Sequence, residues 1–471
     1  MIFPVNEYSV PRKTKEIILL IQEMFTMAAF KTVYVPAGAP TFHLESAGKE
    51  FEKSIALLRS IDENVIVPDE MLLTIDKLEA FLEPLSPDLV IFQNITFANS
   101  AYISEVLRRF SCPVILWTLA EPVIDGGRLR LNSLTGAYSA ANALAAFGRP
   151  FQYVFGAPEC ERVGKTLSSY IAAGKLLHEM RSLRMAAIGH TPQGFGFGRA
   201  LDSELLSVFG VTLESIEARE LIDIAKSYTD EEVLPFVEKT RCCTVGLDKT
   251  PEKNVTDHAR LLKAYSDYVE KNRIGALASR CWPDFFTSFG TPVCTVLSML
   301  NDKGVAAACE ADMYGALSMW LGMKLSGEPV YFGDPVSLNE EESTITFWHC
   351  GAAACSLARE DTGATVGVHP NRKIGPAMDF GCKSAPEATV FRIGRKPDGT
   401  FRFFLLNGEI LDKPKQFTGT SVVVKTARNS REVVEESVKA SFEPHFAVIR
   451  GNHREALTAL ANMLGMEVCS F

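Results

Sequence analysis

The chain has 471 residues, more than a single hydrophobic core accommodates, so two or three domains are expected. Apolar residues make up 47% and charged residues 22%, the composition of a folded globular protein. The net charge of −9 argues against the broad basic footprint that nucleic acid or an anionic membrane requires. No apolar run approaches the ~18 residues of a membrane span. The start, Met1-Ile2-Phe3-Pro4 followed by Glu7 and the basic cluster Arg12–Lys15, has no secretion-signal pattern. Eleven scattered cysteines without a Cys-x-x-Cys pair read as reduced thiols, which points to the cytoplasm and away from a zinc site.

In chain order, a helix is expected over 12–29, then a strand at Thr32–Pro36. A second strand follows at Asp88–Gln93, a helix near 98–109 and a strand at Pro113–Trp117. This strand–helix–strand rhythm predicts a parallel sheet covered by helices. A second α/β block begins near Phe151, with strand Phe151–Phe155, a long helix over 158–182, and strands Arg184–Gly189 and Gly210–Ala218. A helix over 253–271 and strands Ile274–Ser279 and Gly304–Ala308 continue it.

After about residue 326 the pattern changes to strand-like runs at Thr344–Trp348, Ala364–Val368, Ala388–Ile393, Thr400–Leu406 and Ser421–Lys425. The turn signals Pro397-Asp398-Gly399 and Asn407-Gly408 separate the last three. His445–Ile449 reads as a final strand and Arg454–Leu464 as a closing helix. The expected architecture is α/β: two Rossmann-like parallel-sheet domains, 1–150 and 151–326, then an antiparallel barrel-like domain over 327–471.

The strongest chemical signal is Cys309-Glu310-Ala311-Asp312 at the end of the Gly304–Ala308 strand, where open α/β sheets build their sites. Glu310 and Asp312 lie two apart, so in a continuing strand both face one side. Two carboxylates with His445 form the ligand set of a hard divalent metal such as Mn²⁺. Asp312 also reads as the N-cap of a helix over Met313–Lys324, and His445 as a core histidine. His349, followed by Cys350-Gly351, stands where backbone approaches a ligand closely. His369 and His453 read as surface or loop residues. The run His190–Gly198 is a glycine-rich loop after a strand, suited to an active-site rim. Arg128 and Arg130 follow a Gly-Gly turn and offer either an anion grip or a solvated basic face.

Cys281-Trp282-Pro283, the run Cys309–Leu317, Asp334, Trp348-His349-Cys350-Gly351 and His445–Gly451 together resemble the L-fucose isomerase group, related to L-arabinose isomerases. The resemblance is best over about 275–335 and 440–468. It implies three domains in a homo-hexamer and Mn²⁺-dependent, or other divalent metal-dependent, interconversion of an aldose and a ketose through a cis-enediol. A C6-modified hexose such as sulfoquinovose falls within its substrate range. It further implies Asp312 and His445 as metal ligands, Asp312 and Glu310 as the carboxylates of an acid/base pair, and Glu310 as ligand or acid/base.

In that family a metal-binding, proton-transferring glutamate precedes the aspartate by roughly two dozen residues. Set against the family's motif, its position falls on or near Cys294, and a thiol is softer and titrates higher than a carboxylate. Either Glu310 takes that role, or the reaction differs, or the alignment slips. Trp282, Trp348, His349 and Arg128 are the candidate contacts to the sugar. A sugar-binding homologue without catalysis, or an epimerase or lyase working through the same enediolate, are the alternatives.

Overall fold

A computed structural model describes residues 29–471; the helix expected over 12–29 lies outside the described residues up to position 28, as does the Arg12–Lys15 cluster. The first sheet is parallel, in the order β1 (Thr32–Ala37), β2 (Leu89–Asn94), β3 (Val114–Thr118), β4 (Phe151–Phe155). Its first three strands are buried at every position, which is why their sequences run apolar without alternating. Helices α1 (Leu44–Ile61), α2 (Ile75–Leu82), α3 (Ser100–Arg109) and α4 (Ser133–Ala146) connect these strands. Phe151–Phe155, expected to open the second block, instead closes the first sheet by pairing with β3. The long helix α5 (Glu161–Met180) carries the chain away from it.

The second sheet, also parallel, runs in the order β6 (Thr212–Ile216), β5 (Arg184–Ile188), β7 (Ala276–Ser279), β8 (Ala306–Cys309). Helices α6 (Ala218–Ser227), α7 (Asp230–Cys243), α8 (Glu252–Asn272) and α9 (Cys294–Asp302) intervene, and α10 (Met313–Ser326) follows. Every residue of α10 from Met313 to Met323 is buried. A helix apolar all round must be enclosed on every side. Here one flank of α10 packs on β7 and β8 and the other on two strands of the C-terminal domain. One continuous core therefore runs from Met185 and Ala306 through Leu317 to Phe391 and Ile449.

The C-terminal domain is a closed six-stranded antiparallel barrel. Its strands β9 (Tyr331–Asn339), β10 (Thr344–His349), β13 (Ala385–Arg395), β14 (Phe401–Ile410), β15 (Thr420–Thr426) and β16 (Phe446–Arg450) join in the order β13-β16-β9-β10-β15-β14, and β14 returns to β13. The short strands β11 (Val366–Gly367) and β12 (Ala377–Met378) form a separate pair, so the strand expected over 364–368 shrinks to two residues. Helices α11 (Ser430–Lys439) and α12 (Arg454–Met463) flank β16, and β17 (Glu467–Ser470) adds to β14 in parallel.

Pro397-Asp398-Gly399 does make the β13–β14 turn, with Gly399 at φ 84°. Asn407-Gly408 does not turn; it lies inside β14, where the missing side chain of Gly408 lets the Lys425 backbone of β15 come close. Among the described residues no helix is long and apolar enough to cross a membrane.

Candidate active site

Strand β8 ends at Cys309, and the next two residues, Glu310 and Ala311, are left-handed at φ 59° and 55°. Such backbone costs a non-glycine residue of order 1–3 kcal/mol and persists only where the surroundings impose it. The strand therefore does not continue, and Glu310 and Asp312 do not share a face as expected. The Glu310 carboxylate points toward the barrel, while Asp312 turns back to begin α10.

Asp312 is fully buried. Its Oδ1 accepts the Gly315 amide at 2.9 Å, the N-cap bond expected of it. Arg392, on β13 and also fully buried, donates to both oxygens, at 2.7 Å to Oδ2 and 3.3 Å to Oδ1. The Nδ1 of His445 donates to Oδ2 at 2.9 Å. Four donors thus occupy the four acceptor positions of one carboxylate. Burial opposes the charge on Asp312, but Arg392 and His445 hold its carboxyl far below the usual range. The Arg392 guanidinium also reaches Glu443 and the His445 carbonyl.

A proton held on Nδ1 turns the Nε2 of His445 outward. That atom lies 3.0 Å from Glu310 Oε2 and 3.3 Å from Asp334 Oδ1. Burial disfavours a charge on this ring, but the bonds to Asp312 and Glu310 outweigh it and raise the pKa to about 8. Burial also pushes the Asp334 carboxyl up, helped by the Glu310 charge and opposed by His445 and His349. Glu310, His349 and His445 each bring a ligand atom within 4.8 Å of the other two.

His349, at the end of β10, differs from His445. Its Nδ1 accepts the Cys350 amide at 3.0 Å, which requires a lone pair there. Burial disfavours the cation while Cys350, Asp334 and Glu310 favour it, but Nε2 carries a proton in the neutral ring and in the cation alike. That N–H is buried without a partner. It is a donor awaiting an acceptor, such as a sugar oxygen.

The glycine-rich loop after β5 forms a wall of this site. Phe197 meets the His445 ring edge-on at 5.4 Å, and Phe195 lies 6.3 Å from the same ring and 6.1 Å from Trp282. Gly198 lets the loop approach, since a Cβ there would sit 2.8 Å from the Asp312 Cα. Trp282 points its indole N–H toward Glu310 Oε1 at 3.4 Å.

The other expected site residues lie beside the cluster or away from it. Cys294 begins α9, fully buried against Cys350 and Ala377. Trp348 stacks parallel to His349 at 6.5 Å and gives its N–H to the Thr418 carbonyl. Arg128 binds the Thr41 carbonyl on the first domain and shares no bond with the Glu310 cluster. His369, read as a surface or loop residue, does lie in a loop but is buried there, 5% exposed.

Residue-by-residue reading misses Asp334, which enters only through the resemblance, and misses Arg392 altogether. For Asp334 the sequence did carry a signal: it follows Glu310 by two dozen residues, the glutamate-to-aspartate interval of the resembled family. With Glu310 as the motif glutamate and Asp334 as its aspartate, the interval needs no cysteine.

The donor set fits a hard divalent cation. Glu310 and Asp334 would supply oxygens, and His445 an imidazole nitrogen whose other N–H is held by a carboxylate.

Comparison with known proteins follows the same lines. The family of L-fucose isomerase C-terminal domains matches residues 348–471. A sulfoquinovose isomerase of Clostridium sp. (strain MSTE9) is 63% identical over 442 residues, covering 94% of this chain and 99% of the relative. Sulfoquinovose isomerases of Priestia aryabhattai and Alkalicoccus urumqiensis are 39% and 37% identical over 439 residues each, covering 92% and 93% of this chain and 98% of each relative.

Proposed function

The chain belongs to the sulfoquinovose isomerase family, and from that premise we propose that it interconverts sulfoquinovose and the matching 2-ketose through a cis-enediol at the Glu310–Asp334–His445 cluster. The observation that carries this reading is the convergence of two carboxylates on the outward Nε2 of a histidine whose opposite nitrogen is fixed. A divalent cation, Mn²⁺ in this reading, would be held by Glu310, Asp334 and His445. It would polarise O1 and O2 of the open-chain sugar and acidify the C2 hydrogen.

The chain's own groups then move the proton. Glu310 takes it from C2 and returns it to C1. Asp334, whose carboxyl burial pushes up, holds and releases the proton that passes between O2 and O1. The free N–H of His349 anchors a sugar hydroxyl. Asp312 is given a different part from the one expected of it: with both oxygens occupied, it positions His445 and does not reach the metal. The reading extends, on the resemblance alone, to a homo-hexamer in the cytoplasm.

The test is conversion of sulfoquinovose by metal-supplemented protein, followed by NMR. Ketose formation supports the reading. An epimeric aldose, cleavage products, or binding without turnover would each replace it.

Loading of the cation has a sign set by His445. Its pKa near 8 in the metal-free chain means that Nε2 holds a proton below that pH, and a cation must displace it. Metal affinity is therefore expected to fall about tenfold per pH unit below 8 and to level off above it. Calorimetric titrations in two buffers of different ionisation enthalpy should count one proton released at pH 7. No release would place the metal away from His445.

A further inference from the structure

Around the cluster the guanidinium groups differ in what they already hold; Arg199, just after the glycine-rich loop, reaches the Thr191 hydroxyl at 3.4 Å. Arg392 is committed to Asp312 and Glu443. Arg280 is paired with Asp284 at 2.7 Å. Arg372 has no carboxylate partner among the described residues; its guanidinium instead lies 5.8 Å from the Trp282 ring and 5.9 Å from the Phe286 ring. We infer that Arg372 is the residue that reads the anionic C6 substituent of the sugar, a sulfonate in the proposed reaction. The inference rests on that proposed function.

Position supports it first. The indole of Trp282 has its N–H at Glu310 and Arg372 over its ring, so one aromatic side chain spans from the reacting carboxylate to the unpaired cation. Phe195 extends the same apolar strip toward His445. A six-carbon chain with C1 and C2 at the carboxylates can lay its C–H groups along this strip. Its sixth carbon then points toward Arg372.

Rigidity supports it next. Arg372 sits on a tight turn closed by the buried His369. The Asn371 and Arg372 amides donate to His369 Nδ1, both at 3.3 Å, the Lys373 amide donates to the His369 carbonyl at 2.8 Å, and the His369 amide to the Ile374 carbonyl at 2.9 Å. The His369 ring packs edge-on against Phe286 at 5.1 Å. The turn and the aromatic wall thus share Phe286, and the exposed tip carries Arg372 beside Lys373.

Chemistry supports it last. A planar guanidinium on an aromatic face is weakly hydrated and keeps its fork of N–H groups for a tetrahedral oxyanion, which it can bind at two oxygens. Paired with a carboxylate it would have no such capacity.

The test compares a sulfonated and an uncharged substrate. Arg372→Gln is expected to lower kcat/KM for sulfoquinovose about 10–100-fold, chiefly through KM, the size of a lost charged hydrogen-bond pair. Turnover of 6-deoxyglucose, which lacks the sulfonate, should be unchanged. Arg372→Lys should recover part of the loss. In wild type, raising ionic strength should weaken kcat/KM for the sulfonated sugar and not for the neutral one. This arm does not depend on any variant folding.

An equal loss on both sugars, full activity of Arg372→Gln on sulfoquinovose, or a wild-type salt dependence shared by both substrates would each overturn the assignment. Failure of wild type to convert sulfoquinovose at all would instead strike the proposed function.

Discussion

Glu310→Gln is expected to leave the chain folded and to cut isomerisation by ~10²–10⁴-fold, the contribution of one positioned acid/base group. An amide at this position keeps the size of the side chain and its contact with Trp282 but cannot accept a proton from carbon. Among the described residues the hydrogen bonds of the Glu310 side chain run to Trp282 and His445 alone, so little of the described fold depends on its charge. Loss of deuterium from C2-labelled substrate should slow in parallel, because proton removal precedes product formation. Cys294→Ala, measured beside it, should stay within tenfold of wild type, since that thiol packs against Cys350 and Ala377. A Glu310→Gln variant retaining most of its turnover would remove Glu310 from the chemistry. A large loss in Cys294→Ala with metal still bound would return the cysteine to it.

Asp312→Asn should act quite differently, on stability and metal loading together. As an N-cap alone, Asp312 would tolerate the change, because Asn caps about as well. Here the aspartate also neutralises the fully buried Arg392 and accepts from His445. Removing one partner of a buried ion pair typically costs 3–5 kcal/mol, because the other charge stays behind without compensation. Glu443 touches the same guanidinium at 3.4 Å, a longer contact than the 2.7 Å to Asp312. The midpoint of denaturant unfolding should fall accordingly. Metal affinity should drop by ~10–100-fold, the usual effect of losing the carboxylate behind a ligating histidine. An unfolding midpoint equal to wild type would show that Arg392 is held by other groups.

The sequence spoke clearly wherever one local force dominates. The apolar runs of β1, β2, β3 and β8 are buried strands because they read as nothing else, and the motif around Glu310 stood out at the end of one of them. It spoke poorly where tertiary packing overrides local preference. Helix α9 is buried on all sides, so it lacks the amphipathic period that marks a surface helix. Strand β9 carries Gly333-Asp334-Pro335, a sequence that reads as a turn, and its register shifts against β10 near that proline. Without β9, Asp334 has no place beside Glu310 and His445 in the sequence reading.

The two-residue spacing of Glu310 and Asp312 misled for a related reason. Two left-handed residues break the alternation on which the same-face argument depends. Arg392 was invisible because a lone arginine in a strand of Val, Phe and Ile gives no sign of its partner some eighty positions earlier. Where Phe151–Phe155 belongs was likewise a matter of which strand it would pair with, which its own residues do not encode.

Glu310 leaves the second parallel sheet, whereas Asp334, His349 and His445 come from the barrel, and α10 is the shared packing layer between them. The stretch matched by the fucose isomerase C-terminal family, 348–471, holds both histidines but neither Glu310 nor Asp334. In evolutionary terms, a barrel passed on by itself brings Asp334 and both imidazoles but not Glu310. Its new host must supply a strand end that places a glutamate against it. The unit that carries the whole Glu310–Asp334–His445 cluster is therefore larger than the barrel, and the seam between sheet and barrel runs through that cluster.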